Sequence, residues 1–565
     1  MGVRLALFLL TALLALAKSD NDLIHAASAD DRTAVAALVQ QGADVNARED
    51  DGTTSLGWAA NHSNVAIAEL LLQKGADPNL TNELGIGPLS LAITNGSTAM
   101  VKLLLSEGAN PNIARENGET PLMSAARLGQ VEVVNLLLGR GVNANARDKK
   151  FGQTALMWAA GHPEATRMLL EHGADVSVVT KTWDVKYTIY APTTVTLGKT
   201  GIPWNTDGAY NSKKGGLNAL FFAVQKHDLA SARMLLDAGL DVNQPAADGS
   251  TALLAALYNW DPPDTTFVPG KGAPAQAGTS QHFHPDLAMA RLLLDRGAKL
   301  GNADGTGYTT LHAAALAVAN AMLGPDGRRG GAYGGKAALL TLGRVKKAQP
   351  ASHVEETLTV ARRLLDAGGD PNRQTQYPTA GPAGDVRINP APPRSSAFHI
   401  AASSRNLDLV KMMADRGGNP NLVRNDGHTP FSVAVIAGNL PIVQELVARG
   451  ADLTLRYNPT EKIPDPVEPI TLPRQNQTIM HLAVLGGSTA VIEYLHSKGV
   501  PLDVKNSAGE TPLDLADHQE RYREAIERQS AEGDEQKLKK VVRSTALSGA
   551  IRNLLAPDVQ QTVAR

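Results

Sequence analysis

Gly75-Ala76-Asp77-Pro78-Asn79 closes one leucine-rich stretch of this chain, and near-copies of the phrase stand at Gly42–Asn46 and Gly108–Asn112. Gly42, Gly75, Gly108 and Gly141 follow one another at intervals of 33 residues. Between them runs a second phrase, clearest at Asn117–Ala126: Asn-Gly-Glu-Thr-Pro-Leu-Met-Ser-Ala-Ala. A fixed period of this length marks a repeat solenoid, in which each unit buries its apolar face only against its neighbours.

The unit from Asn117 to Asn145 reads as two short helices and a turn. Thr120 suits an N-cap, because its hydroxyl accepts from a backbone N–H one turn in. Pro121 then takes the first helical position, where its missing N–H costs nothing. Leu122, Ala125 and Ala126 line one face of this helix. Gly129 breaks it, and a second helix follows over Val131–Leu138. Gly141 falls where the chain leaves that helix in a left-handed conformation, which glycine takes without steric penalty. A polar turn or hairpin completes the unit. Burying one leucine is worth roughly 1.5–3 kcal/mol, and only a neighbouring repeat supplies the cover.

These phrases closely resemble the ankyrin repeat. The resemblance rests on Thr120-Pro121-Leu122, Thr429-Pro430-Phe431 and Thr511-Pro512-Leu513, on Leu311-His312-Ala313-Ala314, and on the Gly-Ala-Asp-x-Asn endings. Helix-ending glycines at 42, 75, 108, 141, 173, 239, 297, 368, 417, 450 and 499 mark eleven copies, and a twelfth opens at Gly509. The resemblance implies an all-α repeat solenoid, an ankyrin array of about twelve helix-turn-helix units with short hairpin turns, interrupted by several loop insertions. It also gives the histidine of the Leu-His-Ala-Ala slot, shared by His25, His312, His399 and His481, a hydrogen-bonding role between repeats.

Composition narrows the function classes. The formal net charge is −2, so no global field favours nucleic acid or anionic lipid. The chain has no cysteine, which excludes disulfides and thiolate metal sites. One arginine, an apolar run over Leu5–Ala17 and a terminal Ala15-Leu16-Ala17 read as a secretory signal over residues 1–17, too short to span a bilayer. The competing reading, an apolar start to the first repeat, is weaker because Leu23–Ala27 already supply that repeat's first helix. Export to the periplasm or beyond is expected, with no membrane insertion after cleavage.

Repeats one to five occupy residues 18–177 without interruption. Residues 178–215 form an insert carrying Trp183, Tyr187, Tyr190, Trp204 and Tyr210, whose composition favours extended segments and turns. Repeats six to ten follow over 216–455, with inserts at 261–284, 321–356 and 373–394. A proline-rich insert at 456–474 precedes repeats eleven and twelve over 475–565, which include a charged helical insert and a polar C-terminal cap. Insertions in repeat proteins often mark a binding face, which makes Trp183, Tyr187 and Trp204 of the first insert candidate partner contacts, although long surface loops are also tolerated without a role.

Chemical motifs are sparse. Gly330–Ala337 matches a phosphate-loop spacing but ends in alanine where magnesium needs a hydroxyl, and it follows a helical stretch instead of a strand. His282 and His284 share a loop that gives a metal no preformed geometry. The reading is a non-enzyme with no cofactor, metal or catalytic residue. It is a monomeric interaction scaffold that binds a protein partner, not nucleic acid, through the concave face and hairpin tips. The resemblance implies contacts from the tips: Arg48, Glu49 and Asp50; Asn82 and Glu83; Arg115 and Glu116; Arg147, Asp148 and Lys149. Trp58 and Trp158 are either core or groove floor. Two alternatives stay open. One is a ligand- or glycan-binding site, or an enzyme, built by the inserts, with Trp183, Tyr187, Trp204 and Asp184 lining it. The other is a secreted effector acting in a host cell.

Overall fold

The computed structural model describes residues 21–188, 209–258, 285–300, 307–321, 351–375, 395–424, 427–457, 476–517 and 546–555. Twelve helix pairs run through them. The described residues fall into two compact units: one reaches to Val185 and resumes at Lys213–Asp248, the other comprises Lys186–Ser212 and the chain from Gly249 onward. Each holds six pairs. The short helix of a pair, such as Pro121–Arg127, packs against the short helices of its neighbours within the unit, and the longer helix, such as Val131–Leu138, covers it from one side.

Local sequence builds each pair as read. The Thr120 hydroxyl accepts the Met123 N–H at 3.2 Å, and Pro121 occupies the first helical position. The outer helices are capped by the same chemistry, for example by Asp31, Asn64 and Asp286. Five residues after the N-cap, the short helices carry alanine: Ala59, Ala92, Ala125, Ala159 and Ala223 in the first unit. Ala256, Ala314, Ala401, Ala434, Ala483 and Ala516 follow in the second, and all are at most 1% exposed. A methyl group at the point of closest approach lets adjacent short helices stack with no gap to fill. Larger apolar groups, such as Leu104 and Leu137, fill the space beneath the outer helices and are fully buried.

All eleven helix-ending glycines have positive φ, between 74° and 92°. The phrase after them has a mechanical explanation. The aspartate or asparagine two residues on accepts the N–H of the residue two further, as in Asn79 N–H to Asp77 Oδ1 at 2.9 Å. The asparagine at the phrase's end reaches forward by one repeat: Asn79 Nδ2 donates to the Gly108 carbonyl at 3.1 Å while Asn79 Oδ1 accepts the Asn110 N–H at 2.7 Å. Asn46, Asn145, Asn372 and Asn421 make the same double bridge. The exposed carbonyl at one helix end is thus satisfied by the preceding repeat. Ser177 and Thr454 stand where this asparagine would be, ahead of two of the insertions. Their short hydroxyls bond back to Asp175 and Asp452 at 2.7 Å.

The turns between pairs are fingers closed by small β-bridges, Arg48 to Thr54 and Gln374 to Ser396. Two are enlarged into hairpins. Thr182–Thr188 (β1) pairs with Ala209–Gly215 (β2), and Arg456–Tyr457 (β3) pairs antiparallel with Gln477–Thr478 (β4). One insert boundary differs from the sequence reading. Ala351–Asp366 is a single helix, so the last residues of the 321–356 segment belong to the outer helix of the eighth repeat. Glu356 anchors them through an ion pair with Arg291 at 3.0 Å.

Two repeat histidines of the second unit join successive repeats. Thr309 N–H donates to His312 Nδ1 at 3.2 Å, which leaves Nε2–H to donate to the Ser395 carbonyl at 3.2 Å. His481 does the same between Thr478 and Glu510. His25 departs from this pattern: its side chain is exposed. Burial pushes the His312 imidazole down to about 4 from an ordinary value near 6.5, and the Arg373 charge adds to the effect against the Ser395 bond and Asp370.

Two predictions follow from this frame. A Cβ at Gly108 meets nothing within 4 Å, so Gly108→Ala costs only its left-handed backbone, about 1 kcal/mol. A Cβ at Gly118 sits 2.6 Å from the Lys149 nitrogen, so Gly118→Ala costs distinctly more in urea denaturation. Because the folded His312 pKa lies below the unfolded one, its neutral form contributes fully above pH 6.5 and that contribution is lost as pH falls towards 4. Stability therefore drops over this window by up to about 3 kcal/mol, seen as a falling thermal midpoint, and His312→Asn flattens the dependence.

Candidate protein-binding surface

The fingers of the first unit form a row whose tips are stitched together by backbone. Glu83 N–H donates to the Asp51 carbonyl at 2.9 Å, Glu116 N–H to Leu84 at 3.3 Å, Lys149 N–H to Asn117 at 2.9 Å and Lys181 N–H to Phe151 at 2.7 Å. Each tip has a glycine with positive φ: Gly52, Gly85, Gly118 and Gly152. The next finger passes so closely that a Cβ at Gly85 sits 3.0 Å from the Glu116 nitrogen. Side chains on the row are held at fixed spacing by main chain, which pre-organises the surface.

The tip residues divide into two groups. Several serve the frame. Arg48 Nε donates to the Gly52 carbonyl at 3.3 Å, and its guanidinium also donates to the Thr81 carbonyl of the next finger. Arg147 repeats this with Gly152 at 3.1 Å and with Val179. Asn82 Oδ1 accepts the N–H groups of Leu84 and Ile86 at 3.1 and 3.0 Å. Asp148 is 5% exposed and accepts the N–H groups of Phe151 and Gln153, both at 2.7 Å. Glu49 accepts the Trp58 indole N–H at 3.3 Å. Arg115 bonds Glu119 at 3.4 Å and the Thr94 hydroxyl at 3.1 Å. The second group is exposed: Asp50, Glu83, Glu116 and Lys149.

Behind the fingers, the short helices present the residue four after each N-cap: Trp58, Leu91, Ser124, Trp158 and Phe222. All but Ser124 are half-buried. Trp58 and Trp158 are therefore neither fully core nor free. The Trp58 ring stacks on His62, with centroids 6.0 Å apart. Arg127 lies over the Trp158 ring at 5.5 Å and pairs at 3.5 Å with Glu119, a buried carboxylate that also accepts the Ser124 hydroxyl at 2.7 Å.

Trp183 lies on β1, is 43% exposed, and packs its ring 5.8 Å from that of Phe151. Tyr187 also lies on β1, while Trp204 falls outside the described residues, as do residues 330–337, His282 and His284. Sequence reasoning missed Leu84, which is 60% exposed, and Phe151. Both stand directly before a tip glycine, where other fingers carry Asp51 and Asn117. An apolar residue in that polar slot was the available signal.

Comparison with known proteins agrees with this architecture. A family model described as ankyrin repeats (3 copies) matches residues 7–82, 83–180 and 351–457, and one described as ankyrin repeats (many copies) matches 465–516. Together they cover more than half of the chain. The helix pairs over Ala219–Asp237 and Ala252–Asp295 lie between the matched segments. Among curated proteins, a Caenorhabditis elegans homolog of transient receptor potential cation channel subfamily A member 1 is 29% identical over 136 residues, which is 24% of this chain and 10% of that protein. Rattus norvegicus ankyrin repeat and SAM domain-containing protein 6 is 32% identical over 123 residues, 22% of this chain and 12% of the relative. Rattus norvegicus cyclin-dependent kinase 4 inhibitor B is 29% identical over 119 residues, 21% of this chain and 79% of that protein. This chain spans about a tenth of the length of the first two relatives.

The division of the tips predicts separable effects. Arg48→Ala and Arg147→Ala each cost about 1 kcal/mol in denaturant unfolding, because each strips hydrogen bonds from two carbonyls. Asp50→Ala, Glu83→Ala and Glu116→Ala stay within about 0.5 kcal/mol of the parent.

Proposed function

Because the chain belongs to the ankyrin repeat family, we propose that it is a non-enzymatic scaffold that holds a partner protein on the fingers and short helices of its array. One observation carries the reading. The frame consumes Arg48, Arg147, Asp148 and Asn82 in its own hydrogen bonds, yet leaves Asp50, Glu83, Leu84, Glu116, Lys149 and Trp183 exposed along a row fixed by backbone. Rigid positions of mixed charge with two large apolar groups suit a protein surface, where charge sets register and apolar side chains supply affinity. Ankyrin repeats in general bind proteins, and one relative is named for inhibiting a cyclin-dependent kinase. Among the described residues, no group of acidic and histidine side chains converges as a metal site would require.

Cross-linking the full chain in its native extract tests this. Partner yield falls with Glu83→Lys, Leu84→Ser and Glu116→Lys combined, while thermal stability is kept; an unchanged yield would refute the finger row. We also propose export, on the apolar run Leu5–Ala17. The mature chain from the native source then starts at Lys18. A chain retaining residues 1–17 would instead support the first-repeat reading, since the family match already begins at residue 7.

A further inference from the structure

The finger row of the first unit changes sign along its length. Its first three fingers carry exposed Asp50 and Asp51, then Glu83, then Glu116, while Arg48 and Arg115 are drawn into the frame. The next two carry exposed Lys149 and Lys150, then Lys181. Asp148 does not offset these lysines at the surface, because it is buried and its carboxylate is taken by two backbone N–H groups.

An apolar platform lies among the lysines. Phe151 and Trp183 meet with ring centroids 5.8 Å apart, and Lys150 Nζ stands 4.8 Å from the Phe151 centroid. The platform is fixed from below. Lys181 N–H donates to the Phe151 carbonyl at 2.7 Å, Lys181 Nζ donates to the Lys149 carbonyl at 2.6 Å, and Gly215 lets β2 pass so closely that a Cβ there sits 2.8 Å from the Trp183 ring. Trp183 nevertheless stays 43% exposed. A rigid, half-open aromatic pair ringed by cations is complementary to an apolar side chain with carboxylates beside it.

We propose that this finger pair recognises an acidic polypeptide segment bearing an apolar anchor, and that the charge reversal along the row fixes the direction in which that segment lies. The inference deepens the proposed scaffold reading and rests on it. The anchor sits on Phe151 and Trp183, its flanking carboxylates meet Lys149 and Lys150, and the opposite, basic end of the segment runs over Asp50, Glu83 and Glu116. Polyanionic nucleic acid fits less well, since the neighbouring finger presents Glu116.

The test uses the full chain and labelled peptides followed by fluorescence anisotropy. One peptide has a leucine pair flanked by glutamates. The controls replace the leucines with serine or the glutamates with lysine, and a single-stranded DNA serves as a polyanion without an anchor. The acidic, leucine-bearing peptide binds best, and its affinity falls as salt rises. Trp183→Ala weakens it about tenfold, and Lys149→Glu with Lys150→Glu by at least as much. Circular dichroism confirms that the variants stay folded. Equal binding of the serine control, tighter binding of DNA, or indifference to both variants overturns the inference. A native partner still cross-linked to Trp183→Ala/Lys149→Glu/Lys150→Glu at parental yield overturns it while sparing the scaffold reading. Loss of every partner from the parent chain sinks both.

Discussion

A nine-residue outer helix such as Thr98–Ser106 has one apolar face and no means of keeping it dry. Isolated helices of this length are marginal in water, so their order must come from packing. Every other feature of the repeat serves to bring the next helix pair close enough to provide it. The left-handed glycine turns the chain sharply out of the outer helix. The asparagine of the preceding repeat then occupies that glycine's carbonyl and a nearby N–H, and alanine on the short helix removes the last bulk between neighbours. Each device is small, and the array depends on their repetition in register.

This economy explains why framework and surface are hard to separate. Polar residues at the finger tips face two demands, because the backbone of a tight turn needs hydrogen-bond partners and the tip is also where another molecule arrives first. Arg48 and Arg147 meet the first demand by reaching across to the next finger's carbonyls. Asp50, Glu83, Glu116 and Lys149 are spared it. The surface that remains has a polarity of its own, with carboxylates on the early fingers and ammonium groups around the Phe151–Trp183 pair.

The insertions obey the same logic. Those at β1–β2 and β3–β4 enlarge fingers, at points where the bridging asparagine has given way to Ser177 or Thr454. After the eighth repeat, Asn372 still bridges to Gly417 across the intervening segment. A long connection is compatible with intact coupling, since closing a larger loop adds little entropic cost.

The repeat period, the helix pairs, the capping threonines and the left-handed glycines were legible in the residues themselves, because each expresses a preference acting within a few positions along the chain. The outward-facing tips were located as a region by the same means. Their individual roles were not. Whether Arg48 points outward or back to Thr81 depends on an atom one period away, and the burial of Asp148 and the exposure of Leu84 and Trp183 are settled only in the folded fingers. His25 and His312 share a motif and differ in burial for the same reason. Local sequence sets backbone conformation, while hydrogen-bond partners and burial are properties of neighbours that only the stacked repeats bring into contact.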